Sequence, residues 1–214
     1  MKSGSEGDVE IRNIYCVGRN YADHAKELGN DIPEAPMLFM KPTHALVHGA
    51  KKTLDLPADA GELHYETELV VLFKEAYSPE KTLQEMIGQA AVGIDFTLRD
   101  RQEKLKQKRH PWLTAKGFKY SAAVGPFFPF DEKQWQTTAF RMEKNGEIVQ
   151  EGSPGQMIFS LRELVDFTGP LLGIGPGDLL YTGTPEGVGK VEKGDKLALY
   201  YNNQKAGTFW IETT

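Results

Sequence analysis

The strongest apolar pattern in the chain lies over Leu63–Phe73, which closes on the unbroken run Leu69-Val70-Val71-Leu72-Phe73. A run of that length, bounded by polar residues, predicts a strand entering the core. Ala90–Phe96 reads as a second buried strand, and Ile11–Val17 as a shorter one broken by Gly18-Arg19-Asn20. Tyr21–Leu28 has helical character and stops at Gly29-Asn30, a suitable C-cap. Residues 31–36 carry Pro33 and Pro36 and are expected as loop, followed by the short apolar run Met37–Met40. Residues 78–88 predict a helix with Ser78 as N-cap and Pro79 after it. Arg99–Arg109 contains no Gly or Pro and predicts another.

The second half alternates short apolar runs with Gly and Pro, as in Gly173-Ile174-Gly175-Pro176-Gly177 and Thr182-Gly183-Thr184-Pro185. That rhythm predicts a β-rich sandwich or barrel, with one short helix at Ser160–Phe167. No linker or internal repeat interrupts it. The expected organisation is a flexible N-terminus over 1–10 and a single catalytic domain over 11–214, mainly β with short helices (α+β).

Composition narrows the function. The chain has 214 residues, 40% of them hydrophobic, enough for a core without disulfide staples. Lys plus Arg number 25 against 30 Asp plus Glu, a formal charge of −5 that gives no general pull toward nucleic acid. One cysteine, Cys16, excludes a disulfide framework or a thiolate zinc cluster, and its apolar setting marks it as a buried thiol. No run approaches the ~18 apolar residues of a membrane span, and the first residues lack a signal-peptide pattern, so a cytoplasmic location is the expectation.

The candidate chemistry starts at Glu66-Thr67-Glu68. Side chains two apart on a strand share a face, so Glu66 and Glu68 project together at the core boundary. Paired carboxylates losing hydration call for a proton, a basic partner or a cation. Asp95, at the end of the second buried strand, offers a third. An all-oxygen set of this kind suits Mg²⁺ or Mn²⁺, with Ca²⁺ possible. The ordinary alternatives are a solvated face for the pair and a helix cap for Asp95.

His24 and Glu27 stand three apart on the helix over 21–28, where a carboxylate can fix the imidazole's tautomer and raise its basicity. A surface contact on a polar helix is the competing reading. Residues 99–119 hold eight Lys or Arg against two acids, a basic patch that could draw an anionic substrate or simply be a solvated helix. Lys116 differs from the others: it sits between Ala115 and Gly117 in a low-charge, aromatic-bracketed stretch, as a pocket lysine would. Two glycine-rich segments fail as nucleotide motifs. Thr182–Val191 ends in Gly-Lys without Walker spacing, and Gly173–Asp178 opens no helix. Both read as tight turns, although backbone N–H groups near Thr182–Thr184 could hold a carboxylate.

Taken together, Gly18-Arg19-Asn20-Tyr21, His24-x-x-Glu27, Lys41-Pro42, Glu66-x-Glu68, Asp95-x-Thr97-x-Arg99-Asp100, Lys116 and Thr182-Gly183-Thr184-Pro185-x-Gly187-Val188-Gly189 resemble the fumarylacetoacetate hydrolase family, in order and over roughly residues 11–213. The resemblance implies a mixed β-sandwich roll of the family's C-terminal type, a homodimer, and Mg²⁺ or Mn²⁺ held at Glu66, Glu68 and Asp95. It points to the short acylpyruvase and oxaloacetate decarboxylase branch. There the His-x-x-Glu helix belongs to a lid, and a lysine matching Lys116 contacts substrate.

The expected substrate is a small anionic 2-oxo acid, cleaved at C3–C4 through a metal-bound enolate. His24 and Glu27 would activate water and Lys116 would serve the reacting centre, with Arg99 supporting the site from behind. Arg19, Gln102 and Thr184 would bind substrate. The acyl group depends on pocket walls expected around Phe39, Trp112 and Met157. The rival readings are an isomerase or tautomerase on the same site, and a non-catalytic module that binds metal and carboxylates.

Overall fold

The computed structural model describes residues 10–213 apart from 28, 30 and 58–60. The expected flexibility of residues 1–9 and the capping role of Asn30 fall outside them. Among the described residues the chain forms three sheets. The largest has eight strands. It runs in the order Met37–Lys41, Ile14–Gly18, Leu179–Tyr181, Thr67–Phe73, Ile87–Asp95, Ala122–Val124 and Leu46–His48, with Phe128–Pro129 added along Ile87–Asp95. A five-stranded sheet packs against it in the order Glu147–Gly152, Phe140–Lys144, Lys196–Tyr201, Gln204–Thr213 and Lys51–Leu56. Gly189–Lys190, Leu63–Tyr65 and Thr97–Leu98 make a small third sheet. Parallel and antiparallel pairs both occur, giving the mixed β architecture expected.

The central strand Thr67–Phe73 explains its own sequence. Leu69, Val71 and Phe73 face the main core, where they join Met142, Leu197 and Phe209 of the second sheet. Val70 and Leu72 face a smaller cluster with Ile14, Cys16 and Tyr181. Both faces are covered, so the strand reads as a continuous apolar run and not as an alternation. Glu66 and Glu68 continue the even-numbered face, beside the smaller cluster.

Several boundaries differ from the pattern. Leu63–Phe73 is two strands, Leu63–Tyr65 and Thr67–Phe73, because the first pairs into the small sheet and the second into the large one. Residues 78–88 form a helix only over Leu83–Met86. Thr82 is the cap: its Oγ1 accepts from the Glu85 N–H at 3.2 Å, and the Glu85 carboxylate accepts from the Thr82 N–H at 2.7 Å. Ile87 and Gly88 are already drawn into the strand Ile87–Asp95.

The helix expected at Ser160–Phe167 spans Leu161–Leu172, with Ser160 capping it. It carries past Gly169-Pro170, and Gly169 lies so close to the Tyr77 ring that a larger side chain would clash there. Met37–Lys41 is an edge strand, and Arg99–Gln107 is the helix expected there.

Candidate active site

The pairing of Thr67–Phe73 with Ile87–Asp95 builds the acidic centre. Glu68 lies opposite Gly93 and Thr67 opposite Ile94, so Glu66 comes level with Asp95, whose N–H donates to the Glu66 carbonyl at 2.8 Å. One carboxylate oxygen from each of Glu66, Glu68 and Asp95 lies within 4.8 Å of the others. All three residues are buried, with exposures of 6%, 1% and 0%. Glu66 occupies the break between two strands and still shares the face of Glu68.

Three buried or half-buried cations answer these acids unevenly. Lys116 Nζ is 2.7 Å from Glu66 Oε2 and 2.7 Å from Asp95 Oδ2. Arg99 Nη2 meets Glu66 Oε1 at 2.6 Å, where Thr97 Oγ1 also donates at 3.0 Å. Lys41 Nζ lies 2.6 Å from Asp95 Oδ1, at an angle that leaves this oxygen without a hydrogen bond. Lys41 is itself held by the carbonyls of Phe96 and Lys116.

Glu68 has one hydrogen bond, from the Gly183 N–H at 2.7 Å, and no ion pair among the described residues. Gly183 has φ +100, and a Cβ there would come within 2.7 Å of Asn20 Cβ. The turn can present its N–H only because the residue is glycine.

Electrostatics follow this asymmetry. Burial pushes the Glu66 carboxyl up, but the charges of Lys116 and Arg99 outweigh it and hold the group well below the usual range. Burial raises Glu68, and the neighbouring charges of Asp95 and Glu66 raise it further. Burial alone would lower Lys116, whereas Asp95 and Glu66 carry it above the ordinary lysine value. An uncompensated buried carboxylate beside an acceptor lacking a hydrogen bond, in a cluster without sulfur, fits a hard divalent cation such as Mg²⁺ or Mn²⁺.

A cleft of about 100 Å³ opens over this centre and is lined in part by Arg19, His24, Gln102 and Lys116, with Phe39 and Trp112 as its aromatic wall. His24 is buried, and its Nδ1 lies 3.3 Å from Glu27 Oε2. Glu27 Oε1 accepts from the Gly187 N–H at 3.1 Å, tying the helix Ala22–Glu27 to the glycine-rich turn. Burial lowers the His24 pKa, opposed by the charges of Glu66 and Glu27, so the net shift is downward.

Gln102 Oε1 accepts from Arg99 Nη1 at 2.7 Å, and Arg99 lines the cleft as well as bracing Glu66. Arg19 has φ 58, an uncommon conformation for a residue with a side chain.

Two expectations change. The Thr184 hydroxyl is committed to the scaffold: it donates to the Thr67 carbonyl and accepts from Gln150 Nε2, each at 2.8 Å, and does not line the cleft. Met157 forms a bridge with Tyr21 and lines neither the cleft nor the groove beside it. Backbone N–H groups of the glycine turns do hold carboxylates, but these are the protein's own Glu68 and Glu27.

Lys41 and Tyr21 carry more of the site than spacing suggested. The one local signal for Lys41 is a lysine ending the apolar run Met37–Met40. Tyr21 is buried with a hydroxyl that makes no hydrogen bond among the described residues, and burial together with the Glu68 charge raises its pKa.

The fumarylacetoacetate (FAA) hydrolase C-terminal family model matches residues 13–209. Over 205 residues the chain is 36% identical to oxaloacetate tautomerase YcgM of Escherichia coli (strain K12), covering 94% of this chain and 93% of that protein. It is 36% identical over 189 residues to the mitochondrial oxaloacetate decarboxylase of Dictyostelium discoideum, covering 87% of each. The crystal structure of fumarylpyruvate hydrolase from Pseudomonas aeruginosa in complex with Mn²⁺ and pyruvate superimposes with a TM-score of 0.90 at 34% identity, covering 99% of this chain and 94% of that one. The chain belongs to the fumarylacetoacetate hydrolase family and is one of its enzymes.

Proposed function

We propose that this enzyme cleaves the C3–C4 bond of a short 2-oxo acid, by decarboxylating oxaloacetate, by hydrolysing an acylpyruvate, or both, with Mg²⁺ or Mn²⁺ held by Glu66, Glu68 and Asp95. The observation that carries the reading is the buried carboxylate triad beneath a cleft that also presents Lys116, Arg19 and His24. A divalent ion supplies Lewis-acid stabilisation of negative charge on the 2-oxo oxygen. Lys116, 2.7 Å from both Glu66 and Asp95, would turn its ammonium to the substrate carboxylate once a cation neutralised those acids. Arg19 adds a second positive charge, and Gln102 orients the substrate while Arg99 holds the Gln102 carbonyl.

In the hydrolytic reaction water attacks the distal C4 carbonyl. His24, neutral near pH 7 because burial lowers its pKa, takes the proton. Breaking C3–C4 releases the carboxylic acid and the enolate of pyruvate, which takes a proton at C3. Decarboxylation needs no water: CO₂ leaves and the same enolate is protonated. Lys116 and Arg19 balance the enolate's charge in both reactions.

A second reading, keto–enol tautomerisation of oxaloacetate, is favoured by the 36% identity to the E. coli tautomerase. It requires only that His24 carry a proton between C3 and the 2-oxo oxygen. The deciding experiment incubates the Mn²⁺-supplemented protein with oxaloacetate, acetylpyruvate, fumarylpyruvate and a 2-hydroxy-diene-dioate. Pyruvate release supports cleavage. Loss of the enol absorbance at constant mass supports tautomerisation. Tight binding without turnover of any of them would reduce the protein to a carboxylate-binding module. The homodimer is part of the same proposal and is tested by light scattering.

A further inference from the structure

Phe39 lines two hollows. Lys116 Nζ lies 5.1 Å from its ring centroid, beside the acidic centre. The ring also meets Trp112, with centroids 6.1 Å apart and planes at 60°. Both aromatic residues line the polar cleft, and both also line a groove of about 420 Å³ whose other walls include Met37, Met40, Pro111 and Leu113.

The two hollows therefore share one aromatic wall. Gly18 also lines the cleft beside this wall, where a Cβ would make ordinary contact with Met37 Cε at 3.7 Å and Trp112 Cζ3 at 3.8 Å. Trp112 directly precedes the helix Leu113–Lys116, so the groove wall and the buried lysine belong to one rigid piece of chain.

The chemistry of the two sides differs sharply. The cleft has charged groups of both signs, whereas no Asp, Glu, Lys or Arg lines the groove and His110 is its one ionisable residue. Met40 is 41% exposed and Leu113 57% exposed, an apolar surface in need of a cover. Two methionines make the lining adaptable to chains of different shape.

We propose that this groove is the subsite for an uncharged alkyl or aryl acyl chain, so that the enzyme accepts acylpyruvates whose distal group runs over Phe39 and Trp112 away from Lys116. The inference rests on the 2-oxo acid reading above and narrows its substrate class. A second carboxylate, as in a fumaryl group, would lose hydration in this groove with neither Lys nor Arg to receive it and His110 as the single ionisable residue of the lining. In the balanced reaction the water oxygen joins the acyl carbon, the C3–C4 pair passes into the pyruvate enolate, and C3 takes a proton. The products are the alkanoate and pyruvate.

The test uses the full-length Mn²⁺-loaded protein and a ladder of acetyl-, butanoyl- and hexanoylpyruvate. The readout is the ratio of kcat/KM for each longer substrate to that for acetylpyruvate within one protein, which cancels any general loss of activity. In the wild type the ratio should rise by about fourfold per methylene. Met40→Glu and Leu113→Glu, made separately because either could perturb folding, should bring the ratio back toward one.

A wild-type ratio at or below one, or a rise that survives in both variants, overturns the subsite while leaving the cleavage reading intact. If no acylpyruvate turns over, calorimetric titration of the same ladder separates the two claims. Affinity that climbs with chain length and flattens in the variants supports the subsite and sinks the reaction. Affinity independent of length overturns the subsite. A groove covered by a second copy of the chain would show a flat wild-type ladder and an oligomeric state changed by Met40→Glu, which also overturns it.

Discussion

The backbone N–H of Gly183 donates to Glu68 Oε2 across 2.7 Å, joining the turn after Leu179–Tyr181 to the strand Thr67–Phe73. This is the hydrogen bond that orients the one carboxylate of the cluster lacking an ion pair among the described residues. Gly183→Ala would place a Cβ at φ +100 against Asn20, whose side-chain amide donates to the carbonyls of Phe159 and Thr182. We expect a loss of about 1–3 kcal/mol of stability, together with weaker Mn²⁺ binding. Thermal unfolding and Mn²⁺ titration check both. Unchanged metal affinity in a folded variant would show that the turn does not position Glu68.

Lys41 and Asp95 form an ion pair with both side chains fully buried. Lys41→Met leaves Asp95 with Lys116 alone and should destabilise the metal-free protein by about 3–5 kcal/mol. A divalent ion restores positive charge beside Asp95, so Mn²⁺ should recover part of the loss. Denaturation in urea with and without Mn²⁺ measures both effects. A variant as stable as the wild type would mean that Lys116 compensates Asp95 by itself.

Glu68 has its pKa raised in the fold, first by burial and then by Asp95 and Glu66. A raised folded value means that the stabilisation from its proton is complete below the ordinary glutamate pKa and is lost as pH rises through the folded value. Metal-free wild type should therefore lose stability over that window relative to Glu68→Gln, whose amide does not titrate. Glu68→Gln should also abolish Mn²⁺ binding and turnover. Denaturation curves against pH in the presence of a chelator test the first effect. Parallel curves for the two proteins would rule out an uncompensated Glu68 carboxylate.

His24 must be unprotonated to act as a base, and burial holds its pKa below the ordinary value. The acid limb of kcat/KM for acylpyruvate hydrolysis should fall below pH ~6.5. Glu27→Gln keeps an acceptor for the Gly187 N–H but removes a charge that raises His24, so the limb should shift to lower pH. His24→Ala should slow hydrolysis by on the order of 10²-fold and decarboxylation much less. Equal hydrolysis by His24→Ala and wild type would remove His24 from water activation.

Much of this site was legible from local pattern. Period-two geometry alone put Glu66 and Glu68 on one face, and a continuous apolar run marked the buried central strand. Asp95 at the end of Ile87–Asp95 and Lys116 in its low-charge stretch were visible as the residues that break an apolar environment. Such features depend on neighbours close in sequence, which is why spacing reveals them.

Partnerships between distant segments were decided only by the tertiary structure. Nothing beside Lys41 in sequence announces Asp95, and nothing beside Gly183 announces Glu68. Thr184 looked available to a ligand until Thr67 and Gln150 took both of its hydrogen bonds. The helix expected over 78–88 shrank to Leu83–Met86 because pairing in the large sheet claimed Ile87 and Gly88. The sequence by itself determined which residues could carry charge into the core. The packing of one strand against another decided which charges meet there, because a buried ion is tolerable only where the fold brings it a partner.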